Sequence, residues 1–455
     1  MLARIYPLLS GKWVSRISEI LISIASAITF FFLDIMDVIM CVFFRVLDEI
    51  FEGESPSCYC NEREIIQEGN KQNFLGESEL SRSLHGRRNV FREMGFFKIP
   101  RLWSQEKSVN LGKRKNRWSD CGCESCLSWM NNGNNSRLHV VVKEPQIDSL
   151  LPCKSFSWLT ARLEYNSKET EVQNVIFIHG FISSSSLWKE TVFPNLSEDV
   201  QQKYKLFLVD LLGFGRSPKP RDCFYTLKDH LEMIEKSVIL PFQLKSFHLV
   251  AHSMGCIIAL ALAAKYSKSV KSITLIAPPY ISSSEVDPSS EALKRLATRK
   301  VWPPLLFGSA FMSWYEHLGR CICFLACRNH KTWEWILKLL TRRRDLHFGI
   351  MDLTRHTHHS AWHTMHNVIC GGAKFMDKYM ETLMGAGVKI RVVQGTRDQV
   401  VPLECSYNMK MKNPEIELEI LPNAGHNTVF LDRKMDFCRN LERLWESTGN
   451  IQDKS

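Results

Sequence analysis

Residues 247–266 read FHLVAHSMGCIIALALAAKY, and this stretch decides the fold. Phe247 to Val250 predict a short buried strand, and Cys256 to Ala264 predict a helix with apolar residues on every side. Between the two elements, residues 251–255 (Ala-His-Ser-Met-Gly) must turn the chain from strand to helix. This pattern is typical of a nucleophile elbow, a strained turn that projects the hydroxyl of Ser253 above a parallel sheet.

The elbow departs from the usual Gly-x-Ser-x-Gly pattern only at Ala251, which adds one methyl group. Gly255 lets the helix pack closely behind the strand, and the start of the helix directs free backbone N–H groups toward negative charge near Ser253. The alternative interpretation is a buried strand–turn–helix unit that contains Ser-x-Gly by chance. The rest of the chain favours the elbow.

A serine nucleophile needs a base that removes its proton and a carboxylate that holds the base in the right tautomer. Asp398 lies in the loop after a predicted strand, and His426 follows the last predicted strand in the sequence Asn-Ala-Gly-His. The chain order Ser253, Asp398, His426 is that of an α/β-hydrolase fold and differs from the order in both serine protease classes. We therefore predict these three residues as the catalytic triad, with Asp287 as the alternative acid.

The sequence His179-Gly180-Phe181 directly follows another predicted strand. The backbone N–H groups of Phe181 and Met254 are predicted to form an oxyanion hole, in which each donor contributes about 3 kcal/mol. His179 is interpreted as a structural hydrogen-bonding residue of this loop. A serine at position 253, where an aspartate would otherwise stand, argues against haloalkane or epoxide hydrolysis. Asp210 belongs to a predicted structural turn and is not assigned to the catalytic set.

Short strands alternate with helical stretches through most of the chain after residue 137, which predicts an α/β fold with a mostly parallel sheet and helices on both faces. Chemistry in such sheets collects at the carboxyl ends of the strands, where all the motifs above lie. The predicted strands are 140–142, 156–165, 175–178, 204–209, 247–250, 272–276, 388–393 and 416–420.

Residues 281–375 interrupt this alternation and predict a helical cap inserted after the sixth strand. The cap contains five tryptophans, which we expect to line an acyl pocket above Ser253. His359 and His363 have the spacing of two metal ligands on one helix face, but no acidic residue lies between them and a serine triad needs no metal. No metal and no cofactor are therefore predicted.

The N-terminal 16 residues carry three basic side chains and no acidic one, and Ile20 to Leu33 is an unbroken run of apolar and small residues. A basic start followed by such a run is typical of a secretory signal. We therefore predict that residues 1–45 are a signal peptide or signal-anchor and that the protein is secreted or anchored outside the cell. A peripheral amphipathic helix is the alternative.

Asp34 and Asp37 interrupt the apolar run, which resumes as far as Phe44. A helix that extends to Phe44 is long enough to cross a bilayer, with both aspartates toward one end, where a charge costs less than at the centre. Cys41 resembles a lipidated cysteine and is a lipidation candidate, although a cysteine beside a membrane segment is more often simply buried.

The chain of 455 residues contains 15 cysteines, an odd number that leaves at least one thiol unpaired if the protein is secreted. Cys121, Cys123 and Cys126 lie so close together that they indicate zinc or disulfides. A zinc site would need a fourth ligand, for which Cys58 or Cys60 is the candidate. In an exported protein disulfides are favoured.

The net charge of +10 is unevenly distributed, because residues 87–117 hold ten Lys or Arg against two Glu. This segment is interpreted as a solvated arm or as a contact with anionic lipid headgroups or acidic cell-wall polysaccharide. No nucleic-acid-binding module accompanies it, so no nucleic acid partner is predicted. The predicted division is 1–45 leader, 46–136 basic Cys-containing segment, 137–280 first part of the core, 281–375 cap, 376–447 second part of the core and 448–455 tail.

These motifs identify residues 150–445 as resembling the α/β-hydrolase superfamily, and the whole chain resembles the plant BODYGUARD group of probable lysophospholipases. The resemblance implies a lipid acyl-ester substrate and an extracellular role in building the cuticle, the lipid polyester of the epidermis. The leading hypothesis is a serine esterase that forms an acyl-enzyme. An acyltransferase with the same triad and a non-catalytic lipid-binding protein are the alternatives.

Overall fold

The structure is a computed structural model. It describes residues 6–53, 80–85, 89, 91, 116–130, 137–145, 172–281, 294 and 312–449. The predicted strand 156–165, the alternative acid Asp287 and the candidate zinc ligands Cys58 and Cys60 lie outside these residues.

A seven-stranded sheet forms the centre of the molecule, with strand order β1-β3-β2-β4-β5-β6-β7. β1 pairs antiparallel with β3, and all the other pairings are parallel. The predicted α/β fold with a mostly parallel sheet is therefore confirmed. The strands are β1 (Val140–Lys143), β2 (Gln173–Ile178), β3 (Tyr204–Val209), β4 (Phe247–His252), β5 (Val270–Ile276), β6 (Lys389–Gly395) and β7 (Glu417–Leu421).

Helices cover both faces of this sheet, as the parallel pairing requires. The helix after the elbow is apolar on every side, and its residues from Met254 to Ala263 are all buried. The described α-helices are α1 (Tyr6–Glu52), α2 (Glu124–Met130), α3 (Ser186–Thr191), α4 (Glu198–Lys203), α5 (Leu227–Ile234), α6 (Met254–Lys265), α7 (Glu316–Ala326), α8 (His330–Thr341), α9 (Phe348–Asp352), α10 (His358–Thr364), α11 (Met376–Gly385), α12 (Leu403–Lys412), α13 (Thr428–Leu431) and α14 (Lys434–Gly449).

The described part of the predicted cap, from residue 312 to 375, is helical. It contains α7 to α10 and continues as a π-helix at Met365–Cys370. Of its tryptophans, Trp362 is buried, but Trp333 and Trp335 on α8 are 46% and 64% exposed. The expectation that the cap tryptophans line a pocket is therefore wrong for these two, which face outward.

The N-terminal helix α1 is continuous through the two aspartates that interrupt its apolar run. Asp37 accepts hydrogen bonds from the backbone N–H groups of His317 and Leu318 at 3.1 and 3.2 Å, and thus caps the first turn of α7. The hydroxyl of Tyr315 donates to Asp34 at 2.9 Å. Both aspartates therefore join α1 to the cap.

A second contact between α1 and α7 is a buried ion pair. Asp48 accepts two hydrogen bonds from the guanidinium of Arg320, at 2.6 and 2.7 Å, and the two side chains are 3% and 8% exposed. Trp118, from the segment before α2, donates to the same carboxylate at 2.6 Å and packs against Phe44 and Phe324. The rear of α1 is therefore part of the folded cap.

None of the large apolar side chains that the structure describes before Asp34 is buried. Ile24, Ile28 and Phe32 are each more than half exposed, whereas Val38 and Phe44 further along are buried. Residues 23–52 are long and apolar enough to cross a membrane, by length and composition. In the later part of α1, buried residues such as Val38 and Phe44 pack on the cap side, while others such as Ile50 stay exposed.

The cysteine cluster does not form the predicted disulfides. Cys121, Cys123 and Cys126 are free thiols, so the disulfide interpretation is wrong for these three residues. Their neighbours in space include His330 at the start of α8, a residue far away in the sequence.

Candidate active site

The turn between β4 and α6 has the strained backbone of a nucleophile elbow. Ser253 adopts φ 52° and ψ −123°, a left-handed conformation that is rare for a residue with a side chain. Its N–H donates to the carbonyl of Ile276 at 2.8 Å, which ties the turn to the end of β5. The Ser253 side chain makes no capping hydrogen bond to α6, so its hydroxyl is not used to stabilise the helix.

Close packing around Gly255 explains how the chain turns so sharply. A Cβ atom at this position would lie 2.5 and 2.8 Å from the carbonyl oxygens of His179 and Ile178 at the end of β2. Because these are backbone atoms that cannot move aside, only glycine allows α6 to start so close to β2. Ala251 fits without an equivalent conflict, and it is fully buried within β4.

Asp398 follows β6 and is held by four hydrogen bonds. Its Oδ1 atom accepts the N–H groups of Val400 and Val401 at 2.7 and 2.8 Å, and its Oδ2 atom accepts Gln394 Nε2 at 3.0 Å. His426 Nδ1 lies 2.8 Å from the same Oδ2 atom. Burial by itself raises the pKa of Asp398, but the hydrogen bonds from His426 and the two N–H groups outweigh it and hold that pKa below its usual value.

This environment assigns the proton on the imidazole of His426. Because Asp398 Oδ2 is an acceptor, Nδ1 of His426 carries the proton and Nε2 keeps its lone pair. The His426 side chain is 14% exposed and that of Asp398 is fully buried. The pair therefore presents a base at the surface of the site and keeps its carboxylate away from water.

His252, which precedes the predicted nucleophile, brings the loop of His426 to the elbow. Its Nε2 atom lies 3.2 Å from the carbonyl oxygen of His426, and the two imidazole rings are 4.6 Å apart. Burial, followed by the proximity of His426, lowers the pKa of His252 to about 3. His252 is therefore neutral and donates to the His426 carbonyl, which holds the loop of His426 against the residue that precedes Ser253.

The loop after β2 lies against the same elbow. A Cβ atom on Gly180 would lie 3.1 Å from Cβ of Ser253, so the backbone before Phe181 approaches the nucleophile closely. Met254 is the first residue of α6, and its N–H therefore has no acceptor within the helix. The two predicted oxyanion donors thus belong to backbone segments that flank Ser253.

His179 makes two structural hydrogen bonds in this loop. Its Nε2 atom accepts the N–H of Leu211 at 2.9 Å, and its Nδ1 atom donates to the carbonyl of Gly180 at 2.7 Å. Complete burial lowers the pKa of His179, with the nearby carboxylate of Asp210 acting in the opposite direction. Both ring nitrogens are thus occupied, and His179 has no lone pair left for a substrate.

The carboxylate of Asp210 stabilises the loop after β3. Its oxygens accept the N–H groups of Ser185 and Arg216 at 2.6 and 2.8 Å. A Cβ atom on Gly215, which has a φ of 54°, would overlap this carboxylate at 2.4 Å. His139 Nδ1 also lies 3.3 Å from Asp210 Oδ2, so the carboxylate is occupied by structural partners.

The cap contacts the loop that carries the predicted oxyanion donor. Trp362 and Met365 are 4% and 5% exposed and form an apolar cluster with Leu84, against which Phe181 packs. Phe181 also packs against the ring of Phe214, with ring centroids 5.8 Å apart. Apolar side chains from the cap, from the turn at 82–85 and from the core thus meet next to the elbow.

The predicted histidine pair of the cap makes other contacts. His359 and His363 stack on α10 with ring centroids 4.2 Å apart, and His359 Nε2 donates to the carbonyl of Cys223 at 2.8 Å. Within the described chain, neither residue belongs to a group of three or more potential metal ligands. Cys41 is half-buried in α1, and its lipidation stays a prediction.

Sequence reasoning missed the supporting residues of the site. His252 directly precedes the predicted nucleophile in the sequence. Gln394 is the next-to-last residue of β6, before Gly395. Gln394 also accepts from the hydroxyl of Ser406 at 3.0 Å, which fixes the amide that donates to Asp398. Their positions at the ends of β4 and β6 are the only signal that could have identified them.

Known proteins resemble this chain over nearly its whole length. The model of the α/β hydrolase fold family matches residues 173–319. "Probable lysophospholipase BODYGUARD 4" of Arabidopsis thaliana is 50% identical over 426 residues, which cover 92% of this chain and 96% of that protein. "Probable lysophospholipase BODYGUARD 5" of the same plant is 46% identical over 98% of this chain and 100% of its own length. The solved structure of MenH from S. aureus is 15% identical, with a TM-score of 0.44, and the match covers 69% of this chain and 99% of that one.

Proposed function

Because this chain belongs to the BODYGUARD family of α/β-hydrolase-fold proteins, we propose that it is a serine hydrolase that cleaves lipid acyl esters, in particular those of lysophospholipids. The observation that carries the serine mechanism is the 2.8 Å contact between His426 and Asp398, next to the strained elbow at Ser253. The environments of Asp398 and His426 support these roles, since the acid is ionised and buried and Nε2 of the base keeps its lone pair.

In the proposed reaction, Nε2 of His426 removes the hydroxyl proton of Ser253 as the serine oxygen attacks the ester carbonyl. The negative oxygen that develops is stabilised by the N–H groups of Phe181 and Met254. His426 then gives the proton to the departing alcohol, and an acyl-enzyme remains. Water, deprotonated by the same imidazole, attacks the acyl-enzyme and releases the fatty acid and free Ser253.

The apolar cluster beside the elbow supports a lipid substrate. Phe181, whose N–H is a proposed oxyanion donor, packs with Trp362 and Met365, and we propose that this cluster receives the acyl chain. An acyl chain gains about 0.8 kcal/mol for each methylene group that it buries, so kcat/KM for p-nitrophenyl esters should rise with acyl length until the cluster is filled. Specificity that stays flat or falls with chain length would refute a lipid-acyl site.

We also propose that α1 is retained as a membrane anchor. The apolar side chains described between Ile20 and Phe32 are largely exposed, and Asp37 and Asp48 further along bind the cap. Cleavage between Asp37 and Asp48 would remove Asp37 and leave the N–H groups of His317 and Leu318 without this acceptor. We propose on the family resemblance alone that the catalytic domain lies outside the cell and acts in the formation of the cuticle polyester.

A fluorophosphonate probe tests the proposed nucleophile, because it reacts only with an activated serine. We expect the wild type to be labelled and to release fatty acid from lysophosphatidylcholine, and Ser253→Ala to lose both reactions while it keeps the thermal unfolding profile. Ser246→Ala, at the opposite end of β4, is the matched control and should keep full labelling. Undiminished labelling of Ser253→Ala would place the nucleophile elsewhere.

Product analysis in the presence of a hydroxy fatty acid distinguishes hydrolysis from acyl transfer. Free fatty acid supports the hydrolase, whereas a new ester formed by the same Ser253 would make the protein an acyltransferase. A protein that binds lysophosphatidylcholine but neither releases nor transfers its acyl chain would be a lipid-binding member of the family.

A further inference from the structure

Three thiols and one imidazole meet where the segment 116–130 contacts the cap. Cys121, Cys123 and Cys126 lie before and within α2, and His330 is the first residue of α8. The four potential ligand atoms all lie within 4.8 Å of one another. The Sγ atoms of Cys123 and Cys126 are each 3.5 Å from Nε2 of His330.

These distances match a tetrahedral zinc site. With Zn–S bonds of about 2.3 Å and a Zn–N bond of about 2.05 Å, tetrahedral angles separate sulfur from nitrogen by about 3.6 Å. Hydrogen bonds alone account for the cluster less well, because Nε2 of His330 has a single lone pair and two thiols lie at the same distance from it. One cation among the four atoms satisfies all of them.

The imidazole of His330 is oriented for metal binding by a carboxylate. Its Nδ1 atom lies 3.1 Å from Oε1 of Glu334, one helical turn further along α8. Nδ1 therefore carries the proton, and the lone pair of Nε2 points at the three thiols. A carboxylate in this position is the usual partner of a histidine that binds zinc.

We propose that Cys121, Cys123, Cys126 and His330 bind one Zn²⁺ ion in a closed structural site. Three sulfur ligands and one imidazole are a common set for structural zinc, and four protein ligands leave no position for a substrate. The thiols lose their protons to solvent as the metal binds, so affinity should fall in acid. A surface groove whose lining includes Ser125, His330 and Glu334 borders the cluster.

The proposed ion would connect two parts of the chain that are far apart in sequence. The segment that supplies the cysteines also supplies Trp118, which packs on α1 and α7. His330 begins the helix that follows α7. Zinc would therefore hold this segment, and with it the rear of α1, against the cap, and would take no part in chemistry at Ser253.

A second group, Cys323, Cys327 and His356, lies inside the cap, with both sulfur atoms 3.5 to 3.6 Å from Nε2 of His356. It offers three potential ligands, one fewer than a closed zinc site requires. The proposal is therefore confined to the cluster at His330, and the buried group provides a variant that distinguishes the two.

The test is the zinc content of full-length protein, purified in detergent without chelators or a metal-affinity step and measured by inductively coupled plasma mass spectrometry. Cys123→Ser should contain one zinc ion per chain fewer than the wild type. Cys321→Ser replaces a half-buried cysteine outside both groups and should keep the wild-type content. Unchanged zinc in Cys123→Ser, or zinc that is lost only in Cys323→Ser, would overturn the proposal.

Glu334→Gln provides a second, milder test, because it keeps every proposed ligand and should fold. We expect its zinc affinity, measured by competition with a chromogenic chelator, to fall about 10- to 100-fold. Cobalt exchanged into the wild type should show the thiolate charge-transfer and ligand-field absorption of a tetrahedral site, and Cys123→Ser should lose it. A wild type that takes up neither metal, or that carries a disulfide among the three cysteines, would refute the site.

Discussion

Replacement of Asp398 by asparagine tests the proposed triad most directly, because it changes one atom and keeps the shape. Oδ1 of Asp398 accepts two backbone N–H groups, from Val400 and Val401, so the amide oxygen of asparagine must take that place. The amide NH₂ then takes the place of Oδ2, where it faces Nε2 of Gln394 and Nδ1 of His426. A donor thus replaces the acceptor that now fixes the imidazole.

The expected loss follows from the tautomer of His426. An NH₂ group opposite Nδ1 favours the imidazole with its proton on Nε2, which cannot accept the proton of Ser253. The equivalent change in a serine protease lowers kcat about 10⁴-fold, or about 5.5 kcal/mol, and we expect a similar loss from Asp398→Asn. KM should change little, because the carboxylate is buried behind His426 and does not touch the acyl chain.

The assay is steady-state hydrolysis of a long-chain p-nitrophenyl ester by purified protein, with Ser253→Ala as the baseline. Asp432→Asn, at an exposed aspartate close to His426 in the sequence, is the matched control and should keep full activity. Circular dichroism must show that Asp398→Asn is folded. Activity within tenfold of the wild type would refute the assignment, and a collapse in Asp287→Asn instead would identify that residue as the acid.

Three further outcomes follow from packing, charge and burial. Gly255→Ala should destabilise the protein and abolish labelling of the elbow, since its Cβ would meet two carbonyl oxygens, whereas Gly385→Ala, with open space around it, should do neither. Arg320→Met should lower the free energy of unfolding by about 3–5 kcal/mol, because it leaves the buried charge of Asp48 with the neutral N–H of Trp118 but without its cation. Lys203→Met, which breaks an exposed pair, should cost at most about 1 kcal/mol in the same denaturant titration. Burial lowers the pKa of four histidines to about 3 or 4, namely His230, His248, His252 and His363. Below about pH 6.5 the unfolded chain therefore binds more protons than the folded protein. Denaturant titrations should show a free energy of unfolding that is complete above that pH and falls toward pH 4, by up to about 1.4 kcal/mol per pH unit for each histidine. A free energy of unfolding that is constant over this range would contradict the burial of these histidines as neutral groups.

Much of the sheet could be predicted because its strands are short, buried runs of apolar residues. The prediction of 204–209 matches β3 residue for residue, and the strand at the elbow extends two residues beyond its prediction. The approach of Asp398 and His426 follows from topology, since both come after neighbouring parallel strands, β6 and β7. Such signals are local or depend on strand order alone.

Contacts between distant parts of the chain left no local pattern. His330 is separated by 204 residues from Cys126, so no spacing rule connects the two, and the sequence predicts Cys58 or Cys60 as the fourth ligand instead. The apolar run predicts that Asp37 lies toward one end of a possible membrane segment, and nothing in that run indicates that its side chain caps a helix 280 residues away. Whether Trp333 and Trp335 point outward depends on which face of α8 packs against the rest of the protein. The amino-acid composition of the segment does not predict that face.

Because α1 is one continuous helix, its connection to the cap is rigid. Residues 34–52 extend about 28 Å at 1.5 Å per residue, and the carboxylates of Asp37 and Asp48 bind the cap along this length. If the part of α1 before Asp34 lies in a bilayer, the protein can rotate about the helix axis but cannot reorient freely. The same side of the cap then always faces the lipid surface. The protein's search for substrate would then take place in two dimensions, and the catalytic rate would depend on the surface density of lipid and not on its bulk concentration.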